Sequence, residues 1–373
     1  MSLELTAIPL VDHHCHTLLD DTQATNMERF IRATSEAPIS YPLTDLKETV
    51  TYEAVKRIVR HATGDSVDDE ADFARVFGNL DYRTYCRRLF QQSGYERLFI
   101  DTGYTPEPAM GLDVLSEATG TYVHRILRLE RLAQDLRKPG RTFDDWLQAL
   151  LDVVSNARKD GYIGAKSIIA YRSGLGVHPV SREDAKAAFD RWSRQESARL
   201  NDADLLSFIL WKTAPRLIEQ GLPLQFHTGY GDPDEDLAKG NPLLLRDFIE
   251  DFCLKGLSIT LLHTYPYHRE AGYLASVYPG VYFDVSLIIP LGTTSSRRVM
   301  AESLELTPMS RFLFASDAHT RPEMFALSAD LFRDALQAYF LDASVFRFVD
   351  SAKIERWCRM ILNGNARALY LAE

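Results

Sequence analysis

Cysteine is scarce in this chain. Its 373 residues hold four, Cys15, Cys86, Cys253 and Cys358, and no two are spaced as C-x-x-C. That spacing excludes the usual zinc-finger and thioredoxin-type motifs. A chain of this length buries a large core without disulfides, so scattered thiols fit a reducing compartment. Long apolar runs are also missing: no window approaches the roughly 20 apolar residues of a membrane span. The start, MSLELTAIPLVDHH, has neither a basic leader nor an uninterrupted apolar stretch. The expectation is a soluble cytoplasmic protein with no membrane partner. Excess positive charge is absent too. The net charge is -10, and no Lys/Arg stripe is interleaved with aromatics, which argues against a nucleic-acid partner. Neither an internal repeat nor a low-complexity tract occurs.

What is present is a rhythm of short apolar runs ending in polar or glycine-containing segments. Eight occur, near residues 5–16, 96–103, 123–130, 163–172, 222–229, 257–264, 281–286 and 311–319. Amphipathic stretches lie between most of them. One is FDDWLQALLDVVSNARKDG, with Trp146, Leu150 and Val153 at helical spacing. Another runs from Leu205 toward Gly221, a suitable C-cap, and a third opens at Asn241-Pro242. Strands alternating with helices imply a parallel sheet with right-handed crossovers, and eight such units close a (β/α)8 barrel. We therefore expect an α/β TIM-type barrel spanning residues 1–373 as one domain. Residues 21–95 break the rhythm and are read as a helical insertion after strand 1. The insertion either covers the active site or extends the packing. Residues 351–371 read as a helix.

The chemistry begins at Asp12-His13-His14-Cys15-His16. Successive strand side chains alternate faces, so Asp12, His14 and His16 are expected on one face and His13 and Cys15 on the other. Two imidazoles two apart at a strand end can converge on one cation. The pattern recurs at the ends of later runs, in His227, His263 and Asp317. A single such residue is better explained as packing. Four strands presenting ligand types at one barrel level are not, because buried His and Asp are costly unless paired or metal-bound. Lys166 opens an apolar run, which is unusual for a lysine. Three readings stand: pairing with an inward carboxylate, binding of a substrate carboxylate, or carbamylation to an anionic metal ligand. Arg172 shares the parity of Lys166 if the strand continues that far. With Tyr171 it is a candidate carboxylate clamp. Tyr104, Tyr230 and His319 are further candidates to line the pocket. Arg128 and Glu130 are a candidate ion pair, and Asp12 a candidate to orient one of the histidines.

This constellation resembles the amidohydrolase superfamily, whose pattern is H-x-H on strand 1, often Lys on strand 4, His on strands 5 and 6, and Asp on strand 8. The stretches LFIDTGY, GAKSIIAYRSGL, QFHTGYGDPD and FASDAHTRPE are similar to the amidohydrolase-like domain fused to glutamine synthetase in some fungal proteins. The resemblance implies a first metal site of His14, His16 and Asp317. It implies Lys166 as a bridging carbamate and a second site completed by His227 and His263. The expected activity is metal-assisted hydrolysis of an amide, ester or lactone bond in a small, carboxylate-bearing molecule. The cofactor is one or two divalent ions, zinc preferred, with Asp317 and His263 catalytic. Single-metal decarboxylases of the same branch keep the histidines and the Asp but need no carbamate, and form the alternative. A non-catalytic metal- or ligand-binding protein is the remote one. A homo-oligomer is compatible with the sequence.

Overall fold

The computed structural model describes residues 4–342, 345 and 347–373. Seven parallel strands form one sheet in chain order: β1 (Leu10–Cys15), β2 (Tyr95–Asp101), β3 (Tyr122–Arg128), β4 (Tyr162–Ser167), β5 (Leu224–His227), β6 (Ile259–Leu262) and β7 (Val281–Phe283). β1, β5 and β6 are buried throughout, as strands covered on both faces must be, whereas β3 is buried only at Ile126 and Leu127. The eighth apolar run, 311–319, does not form a regular strand, but it closes the barrel. Leu313 N–H donates to the Phe283 carbonyl at 3.1 Å on the β7 side. On the β1 side, His13 N–H donates to Phe314 O at 3.3 Å and His16 N–H to Ala318 O at 2.9 Å. Asp317 takes a positive φ of 51°, which breaks the extended geometry of this segment. The architecture is a (β/α)8-type barrel.

The helices between strands follow their caps. Helix Phe143–Asn156 starts where the Thr142 side chain accepts from Asp145 N–H, and it buries Trp146, Leu150 and Val154. Helix Ala203–Gln220 is capped by Asp202 and ends at Gly221, whose φ of 62° suits glycine. Between β1 and β2 lie five helices: α1 (Met27–Arg32), α2 (Leu43–Lys47), α3 (Val50–Thr63), α4 (Glu70–Gly78) and α5 (Tyr82–Ser93). A buried cation fastens this segment to the barrel. Arg321 pairs with Glu323 at 2.9 Å, donates to the Ala24 carbonyl, and lies over the rings of Phe30, Phe77 and Tyr82. No helix among the described residues is long and apolar enough to cross a membrane.

The chain end plugs the other end of the barrel. Helix Ser351–Arg359 continues into wide turns over Met360–Gly364 and Arg367–Leu371. Ala366 and Tyr370 pack there against Val11, Phe99, Ile126, Ile163 and Leu313.

Candidate active site

The simple alternation expected for β1 fails in the structure. Asp12 pairs with Leu98 and Cys15 with Ile100, so three steps along β1 face two along β2. This irregularity shifts the side-chain phase, as a bulge does. His13 therefore does not pack behind the strand. It sits inside the barrel, 2.9 Å from Asp284 and stacked on Tyr370. His14 and His16 reach the catalytic end together. Asp12 does not touch an imidazole; its carboxylate accepts from Ser316 and from the His14 backbone N–H, fixing the local path of β1. Burial pushes the Asp12 carboxyl up to about 7.

Asp317 is the focus of the cluster. Its Oδ1 lies 3.2 Å from His14 Nε2 and 3.5 Å from His16 Nε2, and its Oδ2 lies 3.3 Å from His263 Nδ1. Burial alone would raise this carboxyl, but the His263, His14 and His16 imidazoles hold it well below the usual carboxylate range. The imidazoles move the same way for a common reason. Burial lowers all three, and with the neighbouring Lys166 ammonium it takes His14 down to about 3. Neutral imidazoles and an ionised carboxylate are the donor states that a divalent cation requires. Among the described residues, two groups bring ligand atoms within 4.8 Å of one another: His14, His263 and Asp317, and His14, His16 and Asp101. His16 Nδ1 is buried without a hydrogen-bond partner. The residues present fit a nitrogen-rich divalent site.

Lys166 is buried and has a carboxylate partner, the first of the readings left open above. Its Nζ lies 3.1 Å from Asp101 Oδ2 and 2.9 Å from His14 Nε2. Asp101, at the end of β2, also takes a bidentate pair from Arg128. Burial would raise the Asp101 carboxyl, but Arg128 and Lys166 hold it well down. The expected Arg128–Glu130 pair is absent; Glu130 instead accepts from the Ser167 hydroxyl at 2.6 Å. Sequence reasoning missed Asp101, although it ends an apolar run just as the histidines do.

Above the cluster lies a cavity of about 350 Å³ that His16, Lys166, His227, His263 and Asp317 line from below. Arg172, Tyr171, Tyr104 and His319 line it as well. The strand does not reach Arg172, however. β4 stops at Ser167, and Ile169–Tyr171 form a 3-10 turn, so parity with Lys166 does not place that side chain. Arg172 has no ion pair among the described residues, and its Nε is buried without a hydrogen bond. The Tyr171 ring lies 4.1 Å from that of His227. Tyr104 packs edge-on to His16 and His319. Tyr230 lies outside this lining, in a shallow depression beside Tyr41. The segment before β2 both packs and covers: Arg32 and residues 35–37 and 39 form part of the cavity wall. Within it, Glu36 lies 3.8 Å from His319.

Comparison with known proteins gives this geometry a context. The family model described as Amidohydrolase matches residues 164–371. Protein fluG of Emericella nidulans is 31% identical over 370 residues, covering 90% of this chain. The chain spans only 42% of that protein's length. A Lactobacillus casei protein classed with the metal-dependent hydrolases superposes with a TM-score of 0.92 at 40% identity, over 99% of this chain and 96% of that one. A uronate isomerase from Thermotoga maritima shares the fold at 16% identity, with a TM-score of 0.70 over 98% of this chain and 95% of that one. The family model covers more than half of the sequence and includes the segments bearing Lys166, His227, His263 and Asp317, and the chain belongs to the amidohydrolase family.

Proposed function

We propose that this protein is a divalent-metal-dependent hydrolase that cleaves an amide bond, or an ester or lactone bond, in a small carboxylate-bearing molecule. The observation that carries this reading is the convergence of His14, His16 and His263 on Asp317 at the floor of a polar cavity. These residues, with His227 beside them, would hold the cation. Zinc suits the donor set, and a divalent ion there supplies Lewis acidity toward a carbonyl oxygen and an attacking water. Asp317 accepts the proton of that water on a carboxylate oxygen and returns it to the leaving nitrogen or oxygen. Arg172, which makes no ion pair among the described residues and whose Nε is buried without a hydrogen bond, binds the substrate carboxylate and sets which bond lies over Asp317.

Lys166 divides two versions of the site. As a carbamate it would bridge two cations, but it would first have to leave Asp101. As an ammonium it stays paired at 3.1 Å and the centre holds one cation. That pair also favours a second reading, non-oxidative decarboxylation at a single cation with His263 as the acid–base group. One set of measurements separates these readings. Metal content is measured after loading with zinc and bicarbonate, and 13C NMR reports any carbamate. A panel of N-acyl amino acids, lactones and aromatic carboxylic acids is assayed for released amine, released acid and carbon dioxide. Hydrolytic turnover is the expected result. Carbon dioxide release without hydrolysis would replace the hydrolase reading with the decarboxylase one.

A further inference from the structure

The histidines of the centre differ in what lies behind them. His14 has Gln225 Oε1 at 3.1 Å from its Nδ1, and His263 has Ser286 Oγ at 2.8 Å from its Nδ1. Such partners fix the tautomer; at His14 the partner on Nδ1 also aims Nε2 at Asp317, while His263 Nδ1 itself lies 3.3 Å from Asp317 Oδ2. His227 has no neutral partner of this kind among the described residues. Its Nε2 is buried without a hydrogen bond and faces Glu235 Oε2 at 3.8 Å. The Glu235 side chain is only 4% exposed, and neither carboxylate oxygen has a hydrogen-bond partner. Two buried, unsatisfied and complementary groups thus face each other. Buried polar groups in native proteins are rarely left so.

The loop after β5 is shaped to hold them there. Glu235 N–H donates to the Asp232 carbonyl at 3.0 Å, and Asp232 N–H donates to Tyr171 Oη at 3.2 Å. Two glycines let the loop press onto the pair. A Cβ at Gly231 would fall 2.8 Å from His227 Nε2, and one at Gly240 would fall 2.6 Å from Glu235 Oε1. Tyr171 covers a face of the imidazole.

We infer that Glu235 is the positioning residue of His227: its carboxylate accepts the Nε2–H and leaves the Nδ1 lone pair for the cation of the centre. The separation is about 1 Å beyond a hydrogen bond, within reach of a glutamate side-chain torsion. The assignment rests on the reading of His227 as a metal ligand. It makes Glu235, on a loop far from the H-x-H motif, part of what sets metal affinity.

The test is titration of metal-free protein with cobalt(II), followed by visible absorption and elemental analysis. It is run on the full chain and on Glu235→Leu, Glu235→Gln and His227→Ala, with circular dichroism as the check on folding. Glu235→Leu is expected to weaken the cation held by His227 by about 10- to 100-fold and to change its absorption spectrum. Glu235→Gln, whose amide oxygen still accepts from Nε2–H, is expected to recover most of that affinity. If Glu235→Leu keeps wild-type affinity and spectrum while His227→Ala loses them, the positioning role falls and the ligand reading stands. If His227→Ala itself behaves as wild type, both fall. Should Glu235→Leu fail to fold, Glu235→Asp replaces it. One methylene shorter, it is expected to bind more weakly than Glu235→Gln, and equal affinities would overturn the proposal.

Discussion

The two ends of this barrel are built by the same strands and treat polar groups in opposite ways. At the N-terminal end, Val11, Phe99, Ile126, Ile163 and Leu313 form an apolar layer against Ala366 and Tyr370. The polar tip of the plug, Tyr370 Oη, accepts from Gln225 Nε2 at 2.9 Å and lies 3.1 Å from Thr260 Oγ1. At the C-terminal end, buried nitrogens of His16, His227, Arg172 and His319 have no hydrogen-bond partners. Unsatisfied buried groups cost about 1–3 kcal/mol each, so a cluster of them around one cavity points to something that meets them there. The plug is met from within the barrel, though Arg97 and Arg333 nearby each keep a buried Nε without a hydrogen-bond partner; on the proposed reading, the open end holds its unpaired nitrogens for a cation and a substrate.

Removing ligands from the open end should therefore have the largest effect. His14→Ala or His16→Ala is expected to abolish tight metal binding and, with it, turnover, while the apolar end keeps the protein folded. Elemental analysis beside circular dichroism checks this, and full metal content in either variant would reject the ligand assignment. Asp317→Asn comes next. The amide retains a neutral oxygen but cannot accept a proton at neutral pH, so turnover is expected to fall by about 10²–10⁴-fold with the fold intact. Wild-type kcat on the true substrate would remove Asp317 from the proton path.

How much of this was legible in the sequence also differs between the two ends. The apolar runs located seven strands and the closing segment, because a strand buried on both faces leaves a continuous hydrophobic signature. The polar residues ending those runs marked His14, His16, His227, His263 and Asp317, which the fold brings to one end. Strand parity did not survive at His13, because one extra residue in β1 relative to β2 is a ladder property that a single strand does not reveal. It failed again at Arg172, where the chain turns after Ser167. Glu235 carried no signal, since DPDEDLAKG reads as a solvated acidic loop until its fold over His227 is seen. Nor did the helical reading of residues 351–371 indicate that Tyr370 enters the barrel.

Between the extremes lies substrate recognition. On the proposed reading, Arg172→Leu removes a charge-assisted contact to a substrate carboxylate and leaves the proposed cation ligands in place. KM is expected to rise by about 10- to 100-fold with metal content unchanged and kcat affected less. Steady-state kinetics on acidic substrates and their neutral amides checks the assignment. An equal loss on both would show that Arg172 does not read the carboxylate.

The smallest effect is expected where the closed end meets the open one. Tyr370 Oη bonds Gln225 Nε2, and Gln225 Oε1 in turn lies 3.1 Å from His14 Nδ1, so one hydrogen-bonded chain runs from the plug to the centre. Gln225 Nε2 also donates to the His13 carbonyl at 2.9 Å and keeps that bond when Tyr370 changes. Tyr370→Phe preserves the packing against Val11 and Phe99 but leaves Thr260 and one Gln225 contact short of a partner. The expected cost is about 1–3 kcal/mol in stability, read by denaturant unfolding of the metal-free protein. Metal affinity is expected to move by less than about threefold, well short of the roughly 10- to 100-fold loss typical when a ligand's own partner is removed. A large loss of metal affinity in Tyr370→Phe would break the contrast between the ends, showing that the plug holds His14 in place through Gln225 and that the reserved capacity of the open end depends on the satisfied one.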